Sequence, residues 1–381
     1  MFRLSDLRHV LHRLGEPYKP RAERSPAIGL KALVGLGSAF SPACIKDFSA
    51  SGIYLLTQER FHPGDLAELI LRKEGEPDVG SDLQISLQGR VARPVEDGVV
   101  LAFVLPPGTD AELFSVLLRG IASLTDPDQC AEMFRTLRTV LFLCRLCGPE
   151  AEEAILLFDG RFDADHTANL FKIALTVEKQ LACEPDAGRM HCHPKVVAGI
   201  LRHGSWAPDE MIMQLWVGLF VSSCTTDEPV DSNQALVDLL VQVTPTQARV
   251  LIHACERVLA SAQGTANSGS RSVVLSPSEI VQLTGVYDLT RNATDLAYLF
   301  NLGLIEKVFD FTSYHDIDSI DITPTSLGLE LYKHCHGTRE NLEPQLVESA
   351  REHLALFLPP PIPSAVADHT SGSAMADVSH Q

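Results

Sequence analysis

Beyond about residue 108 the apolar positions of this chain recur at helical spacing, and the helix signals are frequent. Ala111 to Leu124 carries such a stripe, and Asp126-Pro127-Asp128 can cap a further helix beginning near Gln129. Pro149-Glu150-Ala151 reads as a helix start, and in Ala164 to Ala182 the residues Leu170, Ile173, Ala174, Val177 and Leu181 share one face. Between those two, Ile155 to Phe162 fits either the end of a helix or a strand turning at Asp159-Gly160. Asp209 to Phe220 starts with acids suited to a helix N-terminus and then turns apolar all round, the pattern of a central buried helix. Asp231 to Val243 follows, and Thr244-Pro245 supplies an N-cap with proline at the first helical position. Gln263 to Arg271 is a Gly, Ser, Asn and Ala tract that reads as a loop. Leu275-Ser276-Pro277-Ser278-Glu279 opens a capped helix, and Asn292 to Leu302 forms another that ends at Gly303. Two β-compatible stretches, Glu306 to Phe311 and Ile317 to Ile322, precede a last helix opened by Thr323-Pro324-Thr325.

Before residue 108 the most distinctive stretch is Lys46 to Leu55, a polar turn ending in Gly52 between apolar segments, with Arg21 and Arg24 upstream. Asp47 and Ser49, two apart in a strand, project to one face, and Gly52 allows a backbone bend there. A planar guanidinium matches the O6 and N7 acceptors of a guanine edge, or grips a phosphate. Two arginines could thus hold an anionic, purine-bearing ligand, with Asp47 accepting from guanine N1 and N2 and Ser49 supplying a hydroxyl. The plain alternative is that Asp47 and Ser49 only shape a turn through local backbone bonds.

The pattern Asp47-x-Ser49-x-x-Gly52 after an arginine pair resembles the PilZ domain, the small antiparallel β-barrel that receives the bacterial messenger cyclic diguanylate (cyclic-di-GMP). Phe61-His62-Pro63-Gly64-Asp65 and then Leu66 to Leu71, Leu83 to Arg93 and Val99 to Val104 follow as the family's later strands. The resemblance covers roughly residues 18 to 108 and implies ligand binding by Arg21, Arg24, Asp47, Ser49 and Gly52. Arg21-Ala22-Glu23-Arg24 has one residue fewer between its arginines than the family's motif.

Farther on, helix, helix, hairpin, helix resembles a winged helix. With the upstream Trp-containing helix and Leu302-Gly303-Leu304-Ile305 before the hairpin, it is also similar to the Abi-alpha-like domain of some bacterial defence-associated proteins. A winged helix raises DNA reading as a rival function. The recognition helix would present Arg291, Asn292, Thr294 and Asp295, with a single cation among them, whereas DNA readers place several cations on phosphates.

Composition narrows the field. At 381 residues the chain has room for about two or three domains. With 45% hydrophobic and 21% charged residues it reads as a globular protein, and a net charge of −18 argues against general nucleic-acid binding. Every apolar run is broken by charge or proline before bilayer length, so membrane insertion is not expected. Nine irregularly spaced cysteines read as reduced thiols, with the cytoplasm as the expected location. Cys144 and Cys147 form a Cys-x-x-Cys, and His191-Cys192-His193 a second cluster with Cys183 nearby, but the first lies in an apolar stretch where cysteine behaves as a small hydrophobe. No metal or other cofactor is expected. No phosphate loop, nucleophile elbow or zinc-protease helix occurs, so an enzyme is not expected.

The expected fold is α+β and multidomain. It comprises an amphipathic helix at 1–17, the barrel at 18–108, a helical connection at 109–183, a helical, winged-helix-like domain at 184–337, a C-terminal helix at 338–357 and a disordered tail at 358–381. The expected role is a cyclic-di-GMP receptor that relays binding to a protein partner. A barrel serving only as an interaction scaffold and a winged-helix transcription regulator are the alternatives.

Overall fold

A computed structural model describes residue 25 and residues 29–37, 39–73, 83–158, 162–227, 231–264, 272–306, 319–338 and 344–355. The expected N-terminal helix, the tail, Arg21, Arg24 and most of the expected hairpin at 306–322 lie outside these residues.

The N-terminal part is a closed six-stranded antiparallel barrel. Its strands are β1 (Leu30–Leu36), β2 (Ala39–Ser49), β3 (Gly52–Leu56), β4 (Leu66–Lys73), β5 (Gln84–Val95) and β6 (Gly98–Val104), in the order β1-β2-β3-β6-β5-β4. Alternation explains it: Ile85, Leu87 and Val91 of β5 turn inward while Ser86, Gln88 and Arg90 face out. Closure leaves no free edge among these strands. Ala67, Leu69 and Leu71, Ile53 and Leu55, and Val99 and Leu101 fill the interior.

Helix α1 (Ala111–Ser123) starts at Asp110, whose carboxylate accepts from the Leu113 amide at 2.6 Å, and it lies against the barrel through an edge-on contact of Phe114 with Phe103 of β6. The Lys73 ammonium, at the end of β4, donates to the Leu124 carbonyl at 2.9 Å just past the end of α1. Charge and orphan carbonyls are thereby matched at a helix C-terminus. Helix α2 (Pro127–Cys147) then packs on β5, on α1 and on the helical region, with Asp126 as its cap.

The chain between 148 and 158 is helical, through two short 3₁₀ turns around α3 (Glu152–Ile155), so the segment left open at Ile155 ends a helix as far as Phe158. Helices α4 (Ala164–Ala182), α5 (Pro194–Gly204), α6 (Glu210–Ser222), α7 (Gln234–Gln242) and α8 (Pro245–Gly264) follow. As its all-round apolar pattern predicts, α6 is central: it packs on α4, α5, α8 and α11 (Ser326–Cys335) and buries Trp216, Leu219 and Phe220. Helix α8 runs two residues into the tract read as a loop, through Gln263 and Gly264.

After α8 come β7 (Val274–Leu275), α9 (Pro277–Thr284) with a full Ser276–Glu279 capping box, α10 (Leu289–Asn301), β8 (Ile320–Asp321) and α11; α12 (Pro344–Ala355) ends the described chain. Strand β7 pairs with β8, and Ile305 bridges Pro324, so β8 joins a strand placed before α9. Helix α10 begins earlier than its apolar pattern indicates, because Asp288 caps the Thr290 and Arg291 amides.

Gly218 sets the approach of α6 to α11, since a Cβ there would stand 1.8 Å from the Cys335 carbonyl oxygen. Gly218→Ala is expected to lower stability by about 1–3 kcal/mol through overpacking. Urea unfolding followed by the fluorescence of Trp216, on the same helix, measures it. Gly188→Ala, where a Cβ meets nothing within 4 Å, is the control, and equal midpoints for the two variants would refute the packing account.

Candidate functional sites on the barrel wall and in the barrel–helix cleft

The hairpin of β2 and β3 forms the outer wall that carries the sequence motif. Phe48 is buried in the barrel, so its neighbours Asp47 and Ser49 both face outward and are half-buried, as their spacing predicts. Asp47 lies opposite Tyr54 and Ser49 opposite Gly52. These four residues, with Val100 and Ala102 of β6, line an open depression of about 160 Å³.

Gly52 has a different role from the bend expected of it. It lies within β3 and has no positive φ; a Cβ would instead stand 2.4 Å from the Leu101 carbonyl oxygen. The glycine therefore permits close approach of β6 to β3. The Ser49 hydroxyl lies 3.4 Å from the Gly52 carbonyl, a long bond across the turn. Beside the motif, Tyr54 donates its hydroxyl to Asp97, and the Lys46 ammonium sits 4.4 Å from the Tyr54 ring centroid and 3.4 Å from Asp97. The Tyr54 bond, then a backbone hydrogen bond and the charge of Lys46, hold the Asp97 carboxyl below its ordinary range.

Arg21 and Arg24 lie outside the described residues. Ser25, the next residue in the chain, exchanges both backbone hydrogen bonds with Phe48, at 2.9 and 3.0 Å. The described backbone thus reaches the motif strand one position after the arginine pair.

Of the residues weighed for DNA reading, Asn292 is buried and donates to the Val286 carbonyl at 2.8 Å, Thr294 bonds back to the Thr290 carbonyl, and Asp295 accepts from Gln247 at 3.1 Å. Arg291 alone of the four is left to meet a phosphate.

The cysteines regroup in a way their spacing does not show. His191 pairs with Thr225, which sets Cys192 beside Cys224, and Cys147 adjoins them. The Cys224 hydrogen bond and burial raise the Cys192 thiol, and burial pushes Cys147 up to about 12. Cys192 and Cys147 are therefore protonated, inert thiols near neutral pH. Cys183 is exposed and makes its own contact with the Lys179 carbonyl. Among the described residues, no group of three or more His, Cys, Asp or Glu could hold a metal ion.

A larger cleft, about 540 Å³, lies between the barrel and the helices. Its walls include Leu87 and Gln88 of β5, Val104 to Pro107 at the exit of β6, and Leu141 and Phe142 of α2. Arg138 of α2 and Glu178 of α4 cross it as an ion pair at 2.6 Å, with side chains 16% and 21% exposed. Burial raises the Glu178 carboxyl above its ordinary value while Arg138, and then Arg145, pull it down.

A family model described as "Abortive infection alpha" matches residues 165–335, from the start of α4 to the end of α11. No curated protein sequence matches the chain. The barrel is compatible with a PilZ domain, although no PilZ family model matches it. Among the described residues no single helix is long and apolar enough to cross a membrane.

Because its folded-state pKa is raised, Glu178 contributes most favourably at low pH, and that contribution is lost as pH rises through the raised value. Removing Arg138 takes the directly bonded cation away from a largely buried carboxylate at neutral pH, a cost on the order of 3 kcal/mol. Arg138→Met is therefore expected to destabilise strongly at neutral pH and less as acid protonates Glu178. Thermal melts of variant and parent across pH 5 to 8 test it; a deficit that stays constant or grows toward acid would exclude this account.

Proposed function

We propose that the protein is a non-catalytic, cytoplasmic receptor for cyclic-di-GMP that passes the binding event to a protein partner through its helical region. The observation that carries the reading is the joining of Ser25 to Phe48, which ties the chain just after Arg24 to the strand bearing Asp47 and Ser49. The two arginines would then grip phosphate or guanine edges while Asp47 accepts from guanine donors. Residues 165–335 match a family model described as abortive infection alpha, so in this reading the helical region would carry the output, within such a defence response.

A second reading, a barrel that binds no nucleotide and serves as a scaffold, draws on the Ser49 hydroxyl, which makes the local bond of a structural turn. The transcription-regulator reading is weakened by Asn292, Thr294 and Asp295, each engaged within the protein.

Calorimetric titration with cyclic-di-GMP, with GTP as the control nucleotide, separates the first two. Saturable binding at micromolar concentration or tighter is expected, with Asp47→Ala and the double variant Arg21→Ala, Arg24→Ala each weaker by about tenfold or more, or about 1.4 kcal/mol. Absence of heat and of thermal stabilisation would leave the scaffold reading. Binding unchanged in the double variant would remove the arginines from the site.

A further inference from the structure

The register of β2 against β3 slips by one residue beside the motif. Ile45 pairs with Leu55 and Asp47 with Tyr54, which leaves Lys46 without a partner on β3, a β-bulge. The slip interrupts the strand's alternation. Ala43, Ile45 and Phe48 pack into the core, so the two residues between Ile45 and Phe48, Lys46 and Asp47, both face outward. Unbroken alternation from Ile45 would have turned Asp47 inward. The bulge therefore delivers a cation and an acid to one face together.

The Lys46 ammonium stands at the edge of the motif depression. It lies 4.4 Å from the ring centroid of Tyr54, which lines the depression, and 3.4 Å from the Asp97 carboxylate. Both side chains of that ion pair are about half exposed, at 48% and 54%, so solvent reaches the ammonium and exchanging Asp97 for another anion costs little. The three donors of an ammonium also let it serve Asp97 and a second acceptor at once. A cation is needed at this place. The described lining of the depression holds none and includes the carboxylate of Asp47, while Asp97 accepts from the Tyr54 hydroxyl just beyond. A phosphate approaching those two acids is repelled by both, and Lys46 is the cation that the bulge sets beside them.

We propose that Lys46 is a phosphate-binding residue of the motif face, a cation additional to Arg21 and Arg24, which offsets the charges of Asp47 and Asp97 while Asp47 accepts from guanine. This rests on the protein being a receptor for cyclic-di-GMP, and it assigns a phosphate contact to a residue outside the pattern Asp47-x-Ser49-x-x-Gly52.

Calorimetric titration of the full chain with cyclic-di-GMP at low and high salt, repeated for Lys46 and Asp97 variants whose circular dichroism is that of the parent, tests this. Lys46→Met is expected to weaken binding by about tenfold and to reduce its salt dependence, because one screened charge contact is gone. Lys46→Arg, which keeps the charge, is expected to stay within about threefold of the parent. Asp97→Asn separates a ligand contact from mere bracing of the wall. It frees Lys46 and is expected to bind as tightly as the parent or more so, whereas a cluster that only braces the hairpin would lose affinity in Asp97→Asn as in Lys46→Met. Full affinity with unchanged salt dependence in Lys46→Met, or equal weakening in Lys46→Met and Asp97→Asn, would each overturn the proposal. Binding that is lost in Asp47→Ala but kept in Lys46→Met removes Lys46 alone and leaves the receptor reading standing, whereas absence of binding by the parent removes both.

Discussion

Helix α2 has to satisfy two cores at once, and the arrangement of the rest follows from that. Its residues Phe134, Leu137, Leu141, Phe142 and Leu143 are buried among β5, α1 and the helical region, and Phe142 meets Phe220 of the central α6 at a centroid distance of 6.2 Å. An amphipathic helix ordinarily has a wet face to carry its polar groups. With neighbours on several sides, α2 carries Arg138 and Arg145 in partly dry surroundings, and there the first needs Glu178 from α4. The ion pair gives the helices a preferred register against each other at the cost of desolvating two charges.

The fold was largely legible because its two signals are local. Alternation marks β4, β5 and β6, and caps mark the helices: Asp126, Thr244 and Ser276 each sit where their side chains bond the first amides. Features that depend on distant partners were not legible. Val274–Leu275 is too short to show a period and becomes a strand only because Ile320–Asp321 lies beside it. The reason for Gly52 is the Leu101 carbonyl, some fifty positions away, and nothing in the turn itself signals that.

The candidate sites divide in the same way. Asp47 and Ser49 were readable as a pair because strand geometry alone sets them on one face. Arg145 reads in sequence as a charge between Leu141-Phe142-Leu143-Cys144 and Leu146, and only the fold shows that it sits against Phe142 and acts on Glu178 of α4. Cys224 shows no spacing relation to Cys147 or Cys192; the pairing of His191 with Thr225 brings it to them.

Strand β6 joins the motif depression to the barrel–helix cleft. Val100 and Ala102 face the motif depression, and Val104, two residues on, lines the cleft before the chain passes into α1. A strand hydrogen-bonded to both β3 and β5 in a closed barrel moves as part of the wall, so a shift at the hairpin would be felt at the cleft mouth. Such a path becomes regulation only if a ligand at one end favours one arrangement of α2 against β5 over another, since equal affinity for both shifts nothing. The Arg138–Glu178 pair works against such a shift, because it ties α2 to α4 beside the cleft and parting it would leave two largely desolvated charges without their partners.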